Sequence, residues 1–268
     1  MSKDIDLSHA PARASTPRRR ETMPGPSCAA CPLRAKSCFQ AVQGPELALI
    51  DQLKQSELDF PAGATLIAEG AEEAPLYTLL AGWAYRSKQL PDGRRQILGV
   101  LLPGDFIGLQ QRMSERSPHA VRALSGVRVC SFQRDAVRRI QERMPSLAMD
   151  LTWIAARGEA AVDDHLLSVG RRTAFERLAT TLLLLWLRAE QLELRLPDGS
   201  LPLPLTQRHL ADLLGLSLVH TNRNMRALVR QGLVVVPADG LLRVPDEAAL
   251  ARAGLVRWPL ALPQRPLI

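Results

Sequence analysis

The chain has 268 residues, 46% of them hydrophobic and 23% charged, with a formal net charge of +7. That length supports two domains with cores of their own, and the composition is globular, neither disordered nor fibrous. The longest apolar run, 182–187, is far short of the ~20 residues that cross a bilayer, so a cytoplasmic protein with no membrane partner is expected. The positive charge favours a polyanion only weakly, because residues 151–268 set 14 arginines against 11 acids. No nucleophile–base pair, paired carboxylates or phosphate loop stands out, so no enzyme is expected.

Residues 1–27 are rich in Pro, Ser, Ala and Arg, show no period, and read as a flexible tail; the run Arg18-Arg19-Arg20 is a solvated charge run before it is a DNA contact. Cys28, Cys31 and Cys38 follow at C-x2-C-x6-C spacing, in a stretch where Pro32 stops a regular helix. A loop of this kind can wrap thiolates around one metal ion or one iron-sulfur cube, with Cys130, the only other cysteine, as a fourth ligand. Three reduced thiols and a small buried hydrophobe at 130 give the same pattern. The tail and its cysteines make up 1–43.

Residues 44–53 look helical, and from Leu58 to Phe132 short β-like runs are punctuated by glycines, with Pro91-Asp92-Gly93 a strong turn. Region 44–132 therefore reads as a jelly-roll-like sensor domain. In 133–169 a short helix, 135–144, precedes a longer one. There Leu147, Leu151, Ile154, Gly158, Ala161 and His165 recur at steps of four and three, the seam of a homodimer or of a helix packed on its own roll. Ser168-Val169-Gly170 is the expected hinge into the domain 170–248, and 249–268 is a tail.

After an apolar helix, Leu192–Leu196 and Leu201–Leu205 alternate about Pro-Asp-Gly-Ser as a hairpin, leading into LTQRHLADLLGLSLVHTNRNMRALV. Thr206 and Ser217 are N-caps, and Gly215 marks the turn between two short helices. On the second helix Leu218, Thr221, Met225, Leu228 and Val229 form the expected core face, and Val219, His220, Arg223 and Arg230 are presented, with Asn222 and Arg226 beside them. That helix bears three arginines and no carboxylate, so it can approach the phosphates of double-stranded DNA. A hairpin at 233–244 turning on Pro-Ala-Asp-Gly adds a wing.

This order of parts resembles the Crp/Fnr family of bacterial transcription regulators. The resemblance rests on Gly63, Glu69-Gly70, Tyr77, Gly82, Asp92-Gly93, Pro103-Gly104-Asp105-Phe106, the stretch GRRTAFERLA and the helix pair. It implies an α+β chain, with a cyclic-nucleotide-binding-like β-roll, a long dimerisation helix and a C-terminal winged helix-turn-helix, that acts as a homodimer on DNA with RNA polymerase. The family's cyclic-nucleotide binders carry a glutamate for the ribose and an arginine for the phosphate; here Ile107-Gly108-Leu109 and Pro118-His119 stand in those places, which argues against cAMP, with Arg116 the nearest remaining cation. The cysteines resemble instead the oxygen-sensing Fnr branch, implying a 4Fe-4S cluster on Cys28, Cys31, Cys38 and Cys130, although the last gap holds six residues where well-known members have five. The alternative is a roll that binds another small ligand or haem, with non-ligating cysteines. Where Fnr-type helices present a Glu and a Ser-Arg pair, this chain has Val219, Asn222 and Arg223, which implies altered specificity at one base, with His220 or Asn222 as possible substitutes.

Overall fold

The computed structural model describes residues 27–42, 44–72, 74–112, 116–238 and 240–268. The expected tail with Arg18-Arg19-Arg20 lies outside them. The chain divides into two compact units, one with the roll and residues 264–268, the other running from Asp163 to Pro263. The division falls inside the long helix, earlier than the expected boundary at 170.

In the roll unit two 3-10 turns, Cys28–Ala30 and Pro32–Ala35, precede helix α1 (Gly44–Leu53). Eight strands follow: β1 (Lys54–Phe60), β2 (Thr65–Ile67), β3 (Leu76–Ala81), β4 (Ala84–Gln89), β5 (Arg95–Leu101), β6 (Phe106–Ile107), β7 (Ala120–Ala123) and β8 (Val127–Phe132). They form two antiparallel four-stranded sheets, in the orders β1-β8-β3-β6 and β2-β7-β4-β5. The period of two along a strand sorts the side chains. Tyr77, Leu79, Val127 and Val129 join Phe60, Ile67, Ala84 and Val121 in the core drawn from both sheets. Leu76, Cys130 and Phe132 instead join a second cluster with Leu49, Ile50 and Leu53 of α1. Helix α2 (Ala136–Arg143) gives that cluster Val137 and Ile140.

Helix α3 runs unbroken from Pro145 to Arg171. The expected hinge at 168–170 is therefore helical; the break comes at Arg172-Thr173, where Thr173 and Glu176 close a reciprocal capping box on α4 (Ala174–Gln191). The expected seam is corrected in part. Leu147 and Leu151 are buried in the second cluster and Ile154 packs against it, so these three hold α3 to its own roll. Gly158 is half-buried and Ala161 exposed, while His165 is half-buried, its pKa lowered by burial and then by Arg177. The apolar stripe left open is displaced in register: Met149 (68% exposed), Val162 (48%) and Leu166 (69%), with Thr152, Ala155 and Ala156 between them also exposed.

In the second unit β9 (Leu201–Pro202) precedes α5 (Gln207–Leu214) and α6 (Leu218–Arg230), and β10 (Leu241–Leu242) precedes α7 (Glu247–Ala253). The expected hairpin over 192–205 does not form. Residues 192–200 are turns, and β9 finds its partner in β10, the inner edge of the wing. The wing itself closes through one bridge, Val235 to Arg243. Trp186, Leu178, Leu182 and Leu183 of α4 are fully buried, and α4 packs on α5, α6 and α7.

Candidate nucleic-acid interface and cysteine cluster

The helix pair is fixed by its ends. The Thr206 hydroxyl accepts from the His209 amide at 3.1 Å, and His209 Nδ1 accepts from the Thr206 amide at 3.3 Å, a capping box closed by histidine instead of glutamate. At the other end Gly215 takes φ +65°, and its N–H returns to the Ala211 carbonyl. The Arg177 guanidinium of α4 donates to the Leu214 carbonyl at 3.1 Å, satisfying an open acceptor where the helix dipole is negative. Sequence reasoning missed His209 and Arg177, since His is an uncommon cap partner and Arg177 acts across 37 positions.

Helix α6 starts on Ser217, whose hydroxyl accepts from the His220 amide at 3.3 Å. Thr221, Met225 and Leu228 face inward as expected, with the Thr221 hydroxyl donating to the Ser217 carbonyl at 3.1 Å. Leu218 and Val229 do not: Leu218 is 49% exposed and Val229 is exposed too, because both sit at the margin of the buried face. Away from the buried face of Thr221, Met225 and Leu228, the side chains of Val219, Asn222, Arg223, Arg226 and Arg230 line one shallow concavity, and Val219 is 74% exposed. His220 is exposed beside it, its carbonyl accepting from the Asn224 side-chain Nδ2 at 2.7 Å. A helix with a cationic concave face and no carboxylate suits a phosphate-lined groove. Thr206 and Ser217 serve as caps that position this face.

All four cysteines are free thiols. Cys28 and Cys130 are buried in one cluster, and Cys31, three residues after Cys28, is half-buried. Burial pushes the Cys28 thiol up to about 11, helped by a hydrogen bond with Asp51, and the Cys130 thiol up to about 12. Lys54, paired with Glu57 at 3.0 Å, opposes both shifts. Cys38 is buried on the same segment, its carbonyl accepting from the Arg265 amide at 2.9 Å. Among the described residues no three His, Cys, Asp or Glu side chains converge tightly enough for a single metal ion. A soft, all-thiol donor set is the kind that an iron-sulfur cluster or a zinc ion takes.

In the roll, Ser117 and His119 are buried, and burial with Arg86 and Lys88 pushes the His119 pKa down to about 4. Arg116 is exposed and pairs with Glu72 at 2.7 Å. Among the described residues no helix is long and apolar enough to cross a membrane.

Two family models match this chain: a cyclic nucleotide-binding domain over residues 57–144 and a Crp-like helix-turn-helix domain over 176–253. The nitrogen fixation regulation protein FixK of Bradyrhizobium diazoefficiens is 32% identical over 81% of this chain and 90% of its own length. The transcriptional activator protein FnrL of Cereibacter sphaeroides is 31% identical over 83% of this chain and 90% of its own. The solved structure of FixK2 from Bradyrhizobium japonicum superposes with a TM-score of 0.67 at 27% identity, covering 74% of this chain and 96% of that one. With the roll, the long helix and the capped helix pair already in place, the chain belongs to the Crp/Fnr family of DNA-binding transcription regulators.

Proposed function

We propose that this regulator works as a homodimer whose DNA binding is governed by oxygen or redox state through a 4Fe-4S cluster on Cys28, Cys31, Cys38 and Cys130. The observation that carries the reading is the alternation along β8, which turns Cys130 away from the roll core and into the cluster that receives Cys28. When bound, the group would supply oxygen-sensitive redox chemistry. The chain's own contribution would be the four soft donors, of which Cys28 and Cys130 lie within an apolar cluster. The open stripe of Met149, Val162 and Leu166 is the surface a second copy would cover. On the DNA, Arg223 bonds a guanine in bidentate fashion, and Val219 meets its base edge through methyl groups, since it has no acceptor for a cytosine amine. RNA polymerase is the further partner this reading requires.

Anaerobic purification tests it. Iron and sulfide should co-purify with a broad band near about 400 nm that bleaches in air together with DNA affinity. A colourless, iron-free protein that binds DNA equally in air and nitrogen would remove the sensing part.

The buried His119 beside Arg86 and Lys88 favours a second reading, an anionic small ligand or haem in the roll. A sharp Soret band in the same spectrum would support the haem form of it.

A further inference from the structure

Residues 264–268 carry no readable sequence signal, yet the structure builds them into the roll unit. Arg265 donates its amide to the Cys38 carbonyl and accepts from the Gln40 amide, both at 2.9 Å, a parallel bridge opposite Phe39. Its guanidinium lies over the Phe39 ring at 4.9 Å, pairs with Asp105 and donates to the Pro103 carbonyl at 2.7 Å. Gly104 leaves the room for this stack, since a Cβ there would run into the Phe39 ring. Gln264 donates to the Ser37 carbonyl at 2.7 Å. Arg34 bridges the Cys28 carbonyl at 3.0 Å and the Leu267 carbonyl at 3.3 Å. Leu267 and Ile268 are buried, Ile268 among Cys28 and Cys130, and its carbonyl accepts from the hydroxyl of Thr78, the cross-strand neighbour of Cys130.

One short peptide therefore touches the cysteine segment at Arg34, Ser37, Cys38, Phe39 and Gln40, and the roll at Thr78, Pro103 and Asp105. Two backbone hydrogen bonds, a charge-assisted pair in a shielded setting and two buried aliphatic side chains are far more than a loose end acquires by lying on a surface.

We infer that residues 264–268 are a latch, with Arg265 its positioning residue: docked, it holds the cysteine segment on the roll with Cys28 against Cys130; lifted, it opens those thiols to solvent. The consequence for sensing rests on the cluster reading above, but the latch itself does not. Its engagement sets how readily the cysteine site exchanges its contents and is attacked by oxygen.

The test uses metal-free, reduced full-length protein and follows alkylation of each cysteine by mass spectrometry. In Arg265→Ala and in Leu267→Glu/Ile268→Glu, Cys28 and Cys38 should label about tenfold faster, the effect of ~1.4 kcal/mol on the opening equilibrium. Arg265→Lys, which retains the pair with Asp105, should restore most of the protection. Val121→Ala, a cavity in the core between the sheets, lowers the melting temperature without touching the latch and should leave labelling unchanged. Rates within about twofold of the parent in both latch variants, or equal acceleration in Val121→Ala, would overturn the inference. Iron and sulfide analysis separates it from the cluster reading: accelerated labelling in a chain that never takes up iron keeps the latch and removes the cluster, and a loaded chain with unchanged labelling does the reverse.

Discussion

Arg177 on α4 closes the last turn of α5 by donating Nη1 to the Leu214 carbonyl at 3.1 Å, and the same guanidinium helps to hold the His165 pKa down. One side chain thus ties the helix pair to its supporting helix and adds to the burial that lowers the pKa of His165 on α3. Arg177→Met retains the aliphatic stem but leaves the carbonyl open, which should lower the stability of this unit by about 1–2 kcal/mol. It should also raise the His165 pKa, visible in an NMR titration. A melting shift with no change at His165 would mean that the electrostatic link is absent.

Val219 and Arg223 stand one turn apart on the open face of α6 and line the same concavity. Arg223→Ala should cost roughly 1–3 kcal/mol at a single guanine of each half-site and little elsewhere. Val219 should read a thymine methyl. Replacing that thymine by uracil removes only the methyl and should weaken binding about fourfold, the worth of ~0.8 kcal/mol for one buried carbon. In Val219→Glu the uracil effect should vanish and a cytosine partner become favoured, measured by competition between randomised half-sites.

The two faces of α3 make opposite demands. Leu166→Glu on the open stripe should shift the protein to monomers in sedimentation and reduce DNA affinity, with the melting of the roll unit unchanged. Leu151→Ala on the buried face should instead cost about 2–5 kcal/mol of roll stability while the folded fraction still dimerises. If Leu151→Ala were the variant that dissociated the dimer, the assignment of faces would be inverted.

Where the chemistry is local, the sequence was readable. Ser217, Gly215 and Thr206 act within four residues of where they stand, and the helix pair follows from them. Likewise Pro91-Asp92-Gly93 turns the chain between β4 and β5, with Gly93 at φ +89°. Alternation along Val127–Phe132 sorts Cys130 from Val127 and Val129. It could not say which face the helices cover. The same ambiguity applies on α3, because a heptad count marks an apolar row without telling whether a second copy or the protein's own roll covers it, and Leu147, Leu151 and Ile154 go to the roll. Leu192–Leu196 alternates like a strand, but no edge is offered to it; β9 pairs with β10, about forty residues on. Gly170 suggested a hinge, yet a single glycine costs only ~1 kcal/mol in a helix, and the helix continued to Arg171. The latch was hidden for the plainest reason. Ile268 bonds Thr78 across 190 positions and Arg265 meets Asp105 across 160, distances at which no pattern within a window carries information.

His119 supplies a pH test of the roll. Burial, then Arg86 and Lys88, bring its pKa from 6.5 to about 4, so it is neutral in the folded protein near neutrality. Below pH 6.5 the unfolded chain takes up a proton that the folded chain refuses until about pH 4. Stability is therefore fully present above about 6.5 and falls as the pH drops between those two values, by roughly 3 kcal/mol for this group. His119→Gln removes the titrating site and should flatten that slope in urea midpoints collected from pH 7 down to pH 4. Cys130 gives no slope in the same window, because its thiol stays protonated in both states. A parent and variant with parallel pH profiles would place His119 in water, against the burial that the structure assigns to it.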